Sequence, residues 1–359
     1  MTLCIAVAWP AAEGRWLRQV AMLTAVLAGA QPAAADGILR IGGRTMGTTY
    51  SVAFVTDNPE RHDGALKAGV QQRLDKLEAA MSTYIRTSDV SRFNAYADAD
   101  WFAVEPETAA VVERAQRVSE MTNGAFDITV YPLVCLWGFG PDPASREPPS
   151  AAAIARALQR VDYRNLDVRL SPPALRKRKT DLAIDLSGIA KGYAGEAVAQ
   201  VIEGRGLSNY MIAVGGEIRV RGGRPGHRTW RIGVERPEPG GTKIDRVLEV
   251  TDTALSTSGD YRNFFEHAGR RYSHLLDPRT GSPVRGALSS VSVVEPDSAR
   301  ADALATALMV MGNEAGFAWA QEHGIACIFY SRSESGIHAR TSRVFAERHS
   351  DTGVQSDLH

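Results

Sequence analysis

Asp185, Gly188 and Lys191 follow one another at intervals of three in Ala183-Ile184-Asp185-Leu186-Ser187-Gly188-Ile189-Ala190-Lys191-Gly192-Tyr193-Ala194. An acid, a bend residue and a cation in that order suit the binding of an anionic group, above all a phosphate. Leu182 to Leu186 is an apolar, β-compatible run that breaks at Ser187-Gly188. Tyr193, Ala194, Ala197, Val198, Val201 and Ile202 then mark one face of a helix, which Gly204 and Gly206 stop. Lys191 therefore belongs to the first helical turn, where free N–H groups and the positive dipole end add to its charge. Asp185, at the end of the strand, would hold a cation or an amine beside the phosphate. The same residues also describe an ordinary strand-to-helix junction with Ser187 as cap and a solvated lysine. Short motifs alone do not separate the two readings.

Asp302 and Thr306 lie four apart in Ala301-Asp302-Ala303-Leu304-Ala305-Thr306-Ala307, so they share a helix face. One carboxylate and one hydroxyl among small alanines suit a hard, oxygen-bound cation such as magnesium, which keeps water and phosphate oxygens as further ligands. Alternatively Thr306 bonds back to the carbonyl of Asp302. His274 and Asp277 flank a tight turn in Tyr272-Ser273-His274-Leu275-Leu276-Asp277-Pro278-Arg279-Thr280-Gly281. His274 is a candidate base, although a lone histidine is more often structural. Ser256-Thr257-Ser258-Gly259-Asp260-Tyr261 and Met46-Gly47-Thr48-Thr49-Tyr50 are polar stretches able to line a pocket. No nucleophile-elbow, P-loop or zinc pattern is present.

The elements that must position these residues are strands in meanders with separate helices, which argues an α+β fold. Ile38 to Val55 reads as strands turned at Gly42-Gly43. Leu66, Val70, Leu74, Leu77 and Met81 mark an amphipathic helix. Ser88 to Asn94 reads as a capped turn, and Pro106 opens a helix closed by Asn123-Gly124. Ala125 to Trp137 is apolar and β-branched around Asp127. Ala151 to Leu158 reads as a helix and Leu166 to Leu170 as a strand. Arg176-Lys177-Arg178-Lys179 reads as a solvated hairpin turn. Met211–Val214, Glu217–Val220, Trp230–Val234, Leu248–Leu255 and Ser289–Val294 read as strands. Helices over 298–311 and 314–323 and a strand over 325–330 complete the pattern. From Glu347 the tail is polar and reads as disordered.

The chain has 359 residues, 44% hydrophobic and 23% charged, the composition of a globular protein. Lys+Arg and Asp+Glu are both 41, so charge balance gives no argument for nucleic acid or an anionic membrane as main partner. Arg15 and Arg18, the apolar run Val20 to Gly29 and Ala33-Ala34-Ala35 describe a signal peptide over 1–35, with the mature chain starting near Asp36. The run is short for a membrane span of ~20 residues, although an uncleaved anchor stays open. Cys135 and Cys327 lie in apolar stretches and read as two buried free thiols. Cys4 precedes the basic residues, so no lipid-attachment cysteine follows the apolar run.

Taken together, these stretches resemble the ApbE family of FAD:protein FMN transferases. The resemblance runs from about Met46 to about Met311. It rests on six stretches in order: Met46-Gly47-Thr48, Ser88-x-x-Ser91-Arg92-Phe93-Asn94, Gly124-Ala125-Phe126-Asp127, Asp185-x-x-Gly188-x-x-Lys191-Gly192, His274-x-x-Asp277-Pro278-x-Thr280-Gly281 and Asp302-Ala303-Leu304-Ala305-Thr306. It implies one family domain over 36–346, with antiparallel or mixed sheets, flanking helices and an FAD pocket between two lobes. It implies magnesium-dependent transfer of FMN from FAD to a threonine or serine hydroxyl of an exported flavoprotein, with AMP released. By position, Met46, Tyr84, Ala125, Phe126, Asp127, Asp185, Lys191 and Leu275 would line the FAD site. Gly188 and Ala305 by their carbonyls, with Asp302 and Thr306, would hold the metal. His274 is the first candidate for the catalytic base, Asp277 or a metal-bound water the second, and Lys191 would meet the phosphates. The family suggests flavin-bearing subunits of membrane redox complexes as acceptors, in the periplasm or cell envelope. The family's frequent lipid-site cysteine is absent, and Ser187 stands where a glycine is frequent. An exported FAD carrier and a magnesium-dependent FAD pyrophosphatase are the rival functions.

The N-terminal pattern generates a test. Protein recovered from the cell envelope should begin near Asp36 by intact mass and N-terminal sequencing. Recovery of chains that still begin at Met1 would refute cleavage.

Overall fold

The computed structural model describes residues 37–349, apart from 59–62, 143–146, 239–242 and 262. The signal-peptide expectation and residues 350–359 of the polar tail lie outside the described residues. The chain opens with strands β1 (Ile38–Thr45) and β2 (Thr48–Val55), then helices α1 (Asp63–Met81) and α2 (Asp89–Ala95). Strand β3 (Phe102–Ala103), helices α3 (Pro106–Met121), α4 (Tyr131–Leu136) and α5 (Ala151–Leu158), and strands β4 (Leu166–Leu170) and β5 (Pro173–Lys177) follow. Helix α6 (Ala190–Glu203) precedes strands β6 (Tyr210–Val214), β7 (Glu217–Arg221), β8 (Trp230–Arg236), β9 (Lys243–Val250) and β10 (Thr253–Gly259). Short strands β11 (Phe264–His267), β12 (Arg270–Ser273), β13 (Leu276–Asp277) and β14 (Ser282–Pro283) come next. Strand β15 (Leu288–Glu295), helices α7 (Ser298–Met311) and α8 (Asn313–Glu322), strands β16 (Ala326–Ser333) and β17 (Gly336–Thr341) and helix α9 (Arg343–Arg348) complete it.

An eight-stranded sheet in the order β1-β2-β6-β7-β10-β15-β16-β17 forms the frame. Every pairing within it is antiparallel. Both faces are covered, and the alternation of side chains along each strand divides them. Val52, Phe54, Val291, Val293, Cys327 and Phe329 join the large core beneath α1, α3, α6 and α7. Ala53, Val294, Ala326, Ile328 and Tyr330, on the opposite face, pack with Trp230 and Ile232 of the β8–β9 hairpin and Phe345 of α9. A third core joins Leu133 and Trp137 to Phe265, Tyr272 and Leu276, forming a smaller lobe around the β11–β12 hairpin.

Several local expectations change. The first turn falls at Met46 and Gly47, with φ of 46° and 65°, and pairs Thr45 with Thr48. A two-residue hairpin turn needs φ above zero at both positions, and Gly42-Gly43 instead lie inside β1. A β-carbon on Gly43 would meet the Tyr50 ring at 2.7 Å, so this glycine serves packing rather than turning. Leu248 to Leu255 is two strands, broken at Asp252 with φ of 48°. Ser88 to Asn94 is a helix, α2, whose N-cap is Ser88 accepting from the N–H of Ser91. Lys177 is buried at the end of β5 rather than solvated in a turn, and its ammonium donates to the carbonyls of Asn94 and Tyr96. Burial lowers its pKa to about 8. Helix α9 runs through Arg348, two residues into the tail expected from Glu347. Cys135 and Cys327 are both free; Cys327 is buried, whereas Cys135 is only half-buried.

Helices α6 and α7 touch backbone to backbone. A β-carbon on Gly192 would lie 2.2 Å from the carbonyl oxygen of Ser298. Overpacking of that kind costs typically about 1–3 kcal/mol, so Gly192→Ala should lower stability by that order. Gly69→Ala, in the interior of α1 with only ordinary contact to Val201 at 3.6 Å, should raise it by roughly 0.5–1 kcal/mol. Denaturant midpoints of the two variants check the contrast.

Candidate functional site

The stretch before α6 joins no sheet. Leu182, Ile184 and Leu186 are buried, so their backbone groups need partners other than water. Asn94 supplies them: its side chain accepts from the N–H of Ile184 at 2.7 Å and donates to the Ile184 carbonyl at 2.8 Å. One side-chain amide thus replaces the neighbouring strand that the sequence pattern implied. The N–H of Asp185 donates to the Ile128 carbonyl at 2.7 Å, and Asp185 Oδ1 accepts from the N–H of Ser187 at 2.9 Å. Burial raises the pKa of Asp185, opposed by that N–H and by the charge of Lys191.

Ser187 does not cap α6. The helix begins at Ala190 after Ile189, without a side-chain cap. The anion at its first turn is the protein's own: Asp302 Oδ2 accepts from the N–H of Gly192 at 3.0 Å. Lys191 is accordingly half-buried and ion-paired rather than a freely solvated lysine. Its ammonium lies 3.4 Å from Asp302 Oδ2 and 3.4 Å from Glu217 Oε1, and donates to the Ser187 carbonyl at 3.3 Å. Burial disfavours the ammonium, but the charges of Asp302 and Glu217 outweigh it and hold its pKa above the ordinary lysine range. Glu217 escaped the sequence reading; its only signal was an acid placed directly after the Gly215-Gly216 turn. Burial and the charge of Asp302 push its carboxyl up to about 7 against the pull of Lys191.

Around this triad the structure gathers oxygens. Thr306 Oγ1 lies 3.1 Å from Ser258 Oγ, so Thr306 does not rely on a bond back to its own helix. A β-carbon on Gly188 would stand 3.6 Å from Thr306 Oγ1 and 3.1 Å from the Phe126 ring. Gly188, Thr306 and Phe126 are therefore neighbours, and Asp302 is one helical turn from Thr306. Ala305 lies within α7, where its carbonyl keeps a second lone pair beyond the helical bond. Two buried carboxyl groups, those of Asp302 and Glu217, face a single ammonium among these oxygen donors. That set fits a hard divalent cation. Among the described residues no group of three or more His, Cys, Asp or Glu forms a metal cage.

His274 lies between β12 and β13, near enough to the triad for the charge of Lys191 to act on it. Its Nδ1 lies 2.9 Å from the carbonyl of Asn263. A carbonyl only accepts, so Nδ1 carries the proton and Nε2 the free lone pair. Burial lowers the imidazole pKa, opposed by that carbonyl and reinforced by the charge of Lys191. Asp277, the second candidate base, braces its own turn: Oδ1 accepts from the Arg279 N–H and Nε, and Oδ2 from Arg279 Nη2 at 3.0 Å. A carboxylate so occupied is poorly placed to take a proton.

The expected ring-binding residues divide. A β-carbon on Gly215 would lie 3.1 Å from Lys191 Cδ and 2.9 Å from Thr48 Cγ2, so the turn carrying Met46 lies beside Lys191. Tyr84 is 67% exposed, an apolar ring free to stack on a planar ligand, with its hydroxyl donating to the Phe139 carbonyl. The charge of Asp185 acts on Tyr84 and also on Tyr131, a neighbour the sequence reading did not select. Ala125, Phe126 and Leu275 are buried. The Asp127 carboxylate is spent internally, accepting from the N–H and hydroxyl of Thr129 and the N–H of Tyr163. Burial still pushes it up to about 6. Any ligand contact at Asp127 would come from its backbone.

The model of the ApbE family matches residues 46–329. The chain belongs to the ApbE family. It is similar to the FAD:protein FMN transferase of Vibrio cholerae, 37% identical over 332 residues that cover 92% of this chain and 97% of that one. It is also similar to the FAD:protein FMN transferase of Haemophilus influenzae, 34% identical over 86% of this chain and 90% of the other. Among solved structures, the flavin transferase ApbE from Vibrio cholerae superposes with a TM-score of 0.80 at 35% identity, covering 87% of this chain and 99% of that one. The apo flavinyl transferase ApbE of Pseudomonas stutzeri gives 0.79 at 35% identity over 87% and 97%. The α+β expectation holds, with the main sheet antiparallel throughout.

The His274 geometry is directly testable. Nitrogen-15 NMR should show a neutral ring protonated at Nδ1 at pH 7. The midpoint should lie below the ordinary 6.5. A midpoint above that value, or an Nε2-protonated ring, contradicts the assignment.

Proposed function

We propose that this chain transfers FMN from FAD to a threonine or serine hydroxyl of an exported flavoprotein, with magnesium. The acceptor oxygen attacks the FMN phosphorus of the pyrophosphate. A new P–O bond forms, the bridging P–O bond breaks, AMP leaves with its phosphate, and the hydroxyl proton passes to His274 Nε2. The observation that carries this reading is the pairing of a neutral His274, its Nε2 without a partner among the described residues, with the Lys191–Asp302–Glu217 cluster. The FAD:protein FMN transferases among the relatives support it.

Lys191 would meet the pyrophosphate oxygens, and Tyr84, Met46 and Phe126 would offer apolar walls to the rings in a pocket between the main body and the smaller lobe. Asp302, Thr306 and the carbonyls of Gly188 and Ala305 would hold magnesium, which when bound supplies positive charge to the phosphate oxygens. Arg15, Arg18, the apolar run and Ala33-Ala34-Ala35 support export to the periplasm or cell envelope. Among the described residues no helix is long and apolar enough to cross a membrane. Flavin-bearing subunits of membrane redox complexes are the acceptors the family suggests.

Incubation with FAD, magnesium and a candidate acceptor, followed by mass spectrometry, decides between the functions. A transferase yields AMP and an acceptor heavier by one FMN. AMP with free FMN identifies a pyrophosphatase, and no AMP identifies a carrier. Two variants separate binding from chemistry. A charge-assisted hydrogen bond is worth roughly 1.5–3 kcal/mol, so Lys191→Ala should raise the FAD Kd by about tenfold or more. His274→Ala should slow transfer by roughly 10²–10⁴-fold and leave FAD affinity nearly unchanged. FAD titration with timed acceptor labelling measures both, and the opposite pattern reverses the two roles.

A further inference from the structure

Glu217 opens β7 directly after the Gly215-Gly216 turn and is only 6% exposed. Its two oxygens have separate partners. Oε2 accepts from the backbone N–H of Thr257 at 3.3 Å, and Oε1 faces the Lys191 ammonium at 3.4 Å. The same ammonium faces both oxygens of Asp302 at longer than ideal distance, 3.4 Å from Oδ2 and 3.5 Å from Oδ1. A tight charge-assisted hydrogen bond measures about 2.7–2.9 Å, so the ammonium is shared between the carboxylates rather than given to either. The lysine stem is confined as well, since its Cδ lies only 3.1 Å from where a β-carbon on Gly215 would stand.

Asp302 is the single carboxylate in the cation-binding set. An ammonium drawn fully onto it would neutralise the charge and occupy the oxygens that a divalent cation needs. Glu217 is anchored separately, to the Thr257 backbone, and competes for the same ammonium. We propose that Glu217 is a positioning residue: by holding Lys191 off Asp302, it keeps the Asp302 carboxylate available to a divalent cation. This rests on the magnesium reading above. It assigns Glu217 no direct contact with the cation.

Manganese serves as the probe, because its binding is read by electron paramagnetic resonance on the full chain without FAD or turnover. Glu217→Gln keeps the size and an acceptor for Thr257 but removes the charge. It should weaken manganese binding by roughly tenfold, within the usual range of coupling between neighbouring sites. Glu217→Asp should recover part of the loss. Lys191→Met should tighten binding, and in that background Glu217→Gln should have little further effect. Should Lys191→Met fail to fold, as judged by circular dichroism, Lys191→Gln provides the same background. An equal loss from Glu217→Gln with and without the lysine would mean that Glu217 ligates or attracts the cation itself, which overturns the proposal. Unchanged affinity in Glu217→Gln also overturns it while leaving the metal reading intact. No manganese binding by the wild-type chain overturns both.

Discussion

Two carboxylates, Asp302 and Glu217, are buried around one ammonium, that of Lys191. Taking charges out of water costs several kcal/mol per ion, and mutual attraction offsets this only with good geometry and further hydrogen bonds. Here the further bonds are specific. Asp302 also accepts from the Gly192 N–H at the start of α6, and Glu217 also accepts from the Thr257 N–H. The triad therefore ties α6, α7, β7 and β10 to one point. It also gathers two carboxyl groups and one ammonium beside the hydroxyls of Thr306 and Ser258.

The frame explains how the triad is reached. An antiparallel sheet covered on both faces fixes β7 and β10 side by side, with Leu255 opposite Ile218. The glycine at 192 lets α7 approach α6 at backbone distance, bringing Asp302 to the N-terminus of the neighbouring helix. The smaller lobe, with its own core of Trp137, Phe265 and Tyr272, delivers His274 from a different direction. Charged and neutral partners thus come from separately packed parts.

Asp185 and Asp127 show how one residue type serves two ends. Asp127 spends its oxygens on Thr129 and Tyr163 and acts as a brace. Asp185 keeps one oxygen on Ser187, and its charge reaches Tyr84, Tyr131 and Lys191. Neighbouring backbone geometry, rather than the acid itself, makes the difference.

Much of this was readable in the sequence by itself. Helix α1 follows from the spacing of Leu66, Val70, Leu74, Leu77 and Met81, because periodic burial leaves a periodic record, and the bounds of α5, α7 and β4 were also legible locally. The order of the six family stretches was likewise linear information. The tertiary structure decided the rest, for reasons of contact between distant residues. The run Leu182–Leu186 has a strand's composition, yet its backbone partner is the side chain of Asn94, ninety residues away. Lys177 reads as a solvated cation, yet three-dimensional packing brings it to carbonyl oxygens of Asn94 and Tyr96. Ser187 looked like a cap, whereas the carboxylate that satisfies the helix start comes from Asp302. Glu217 carried no periodic or motif signal. Its role exists only because β7 passes beside the first turn of α6, a proximity that no local spacing encodes.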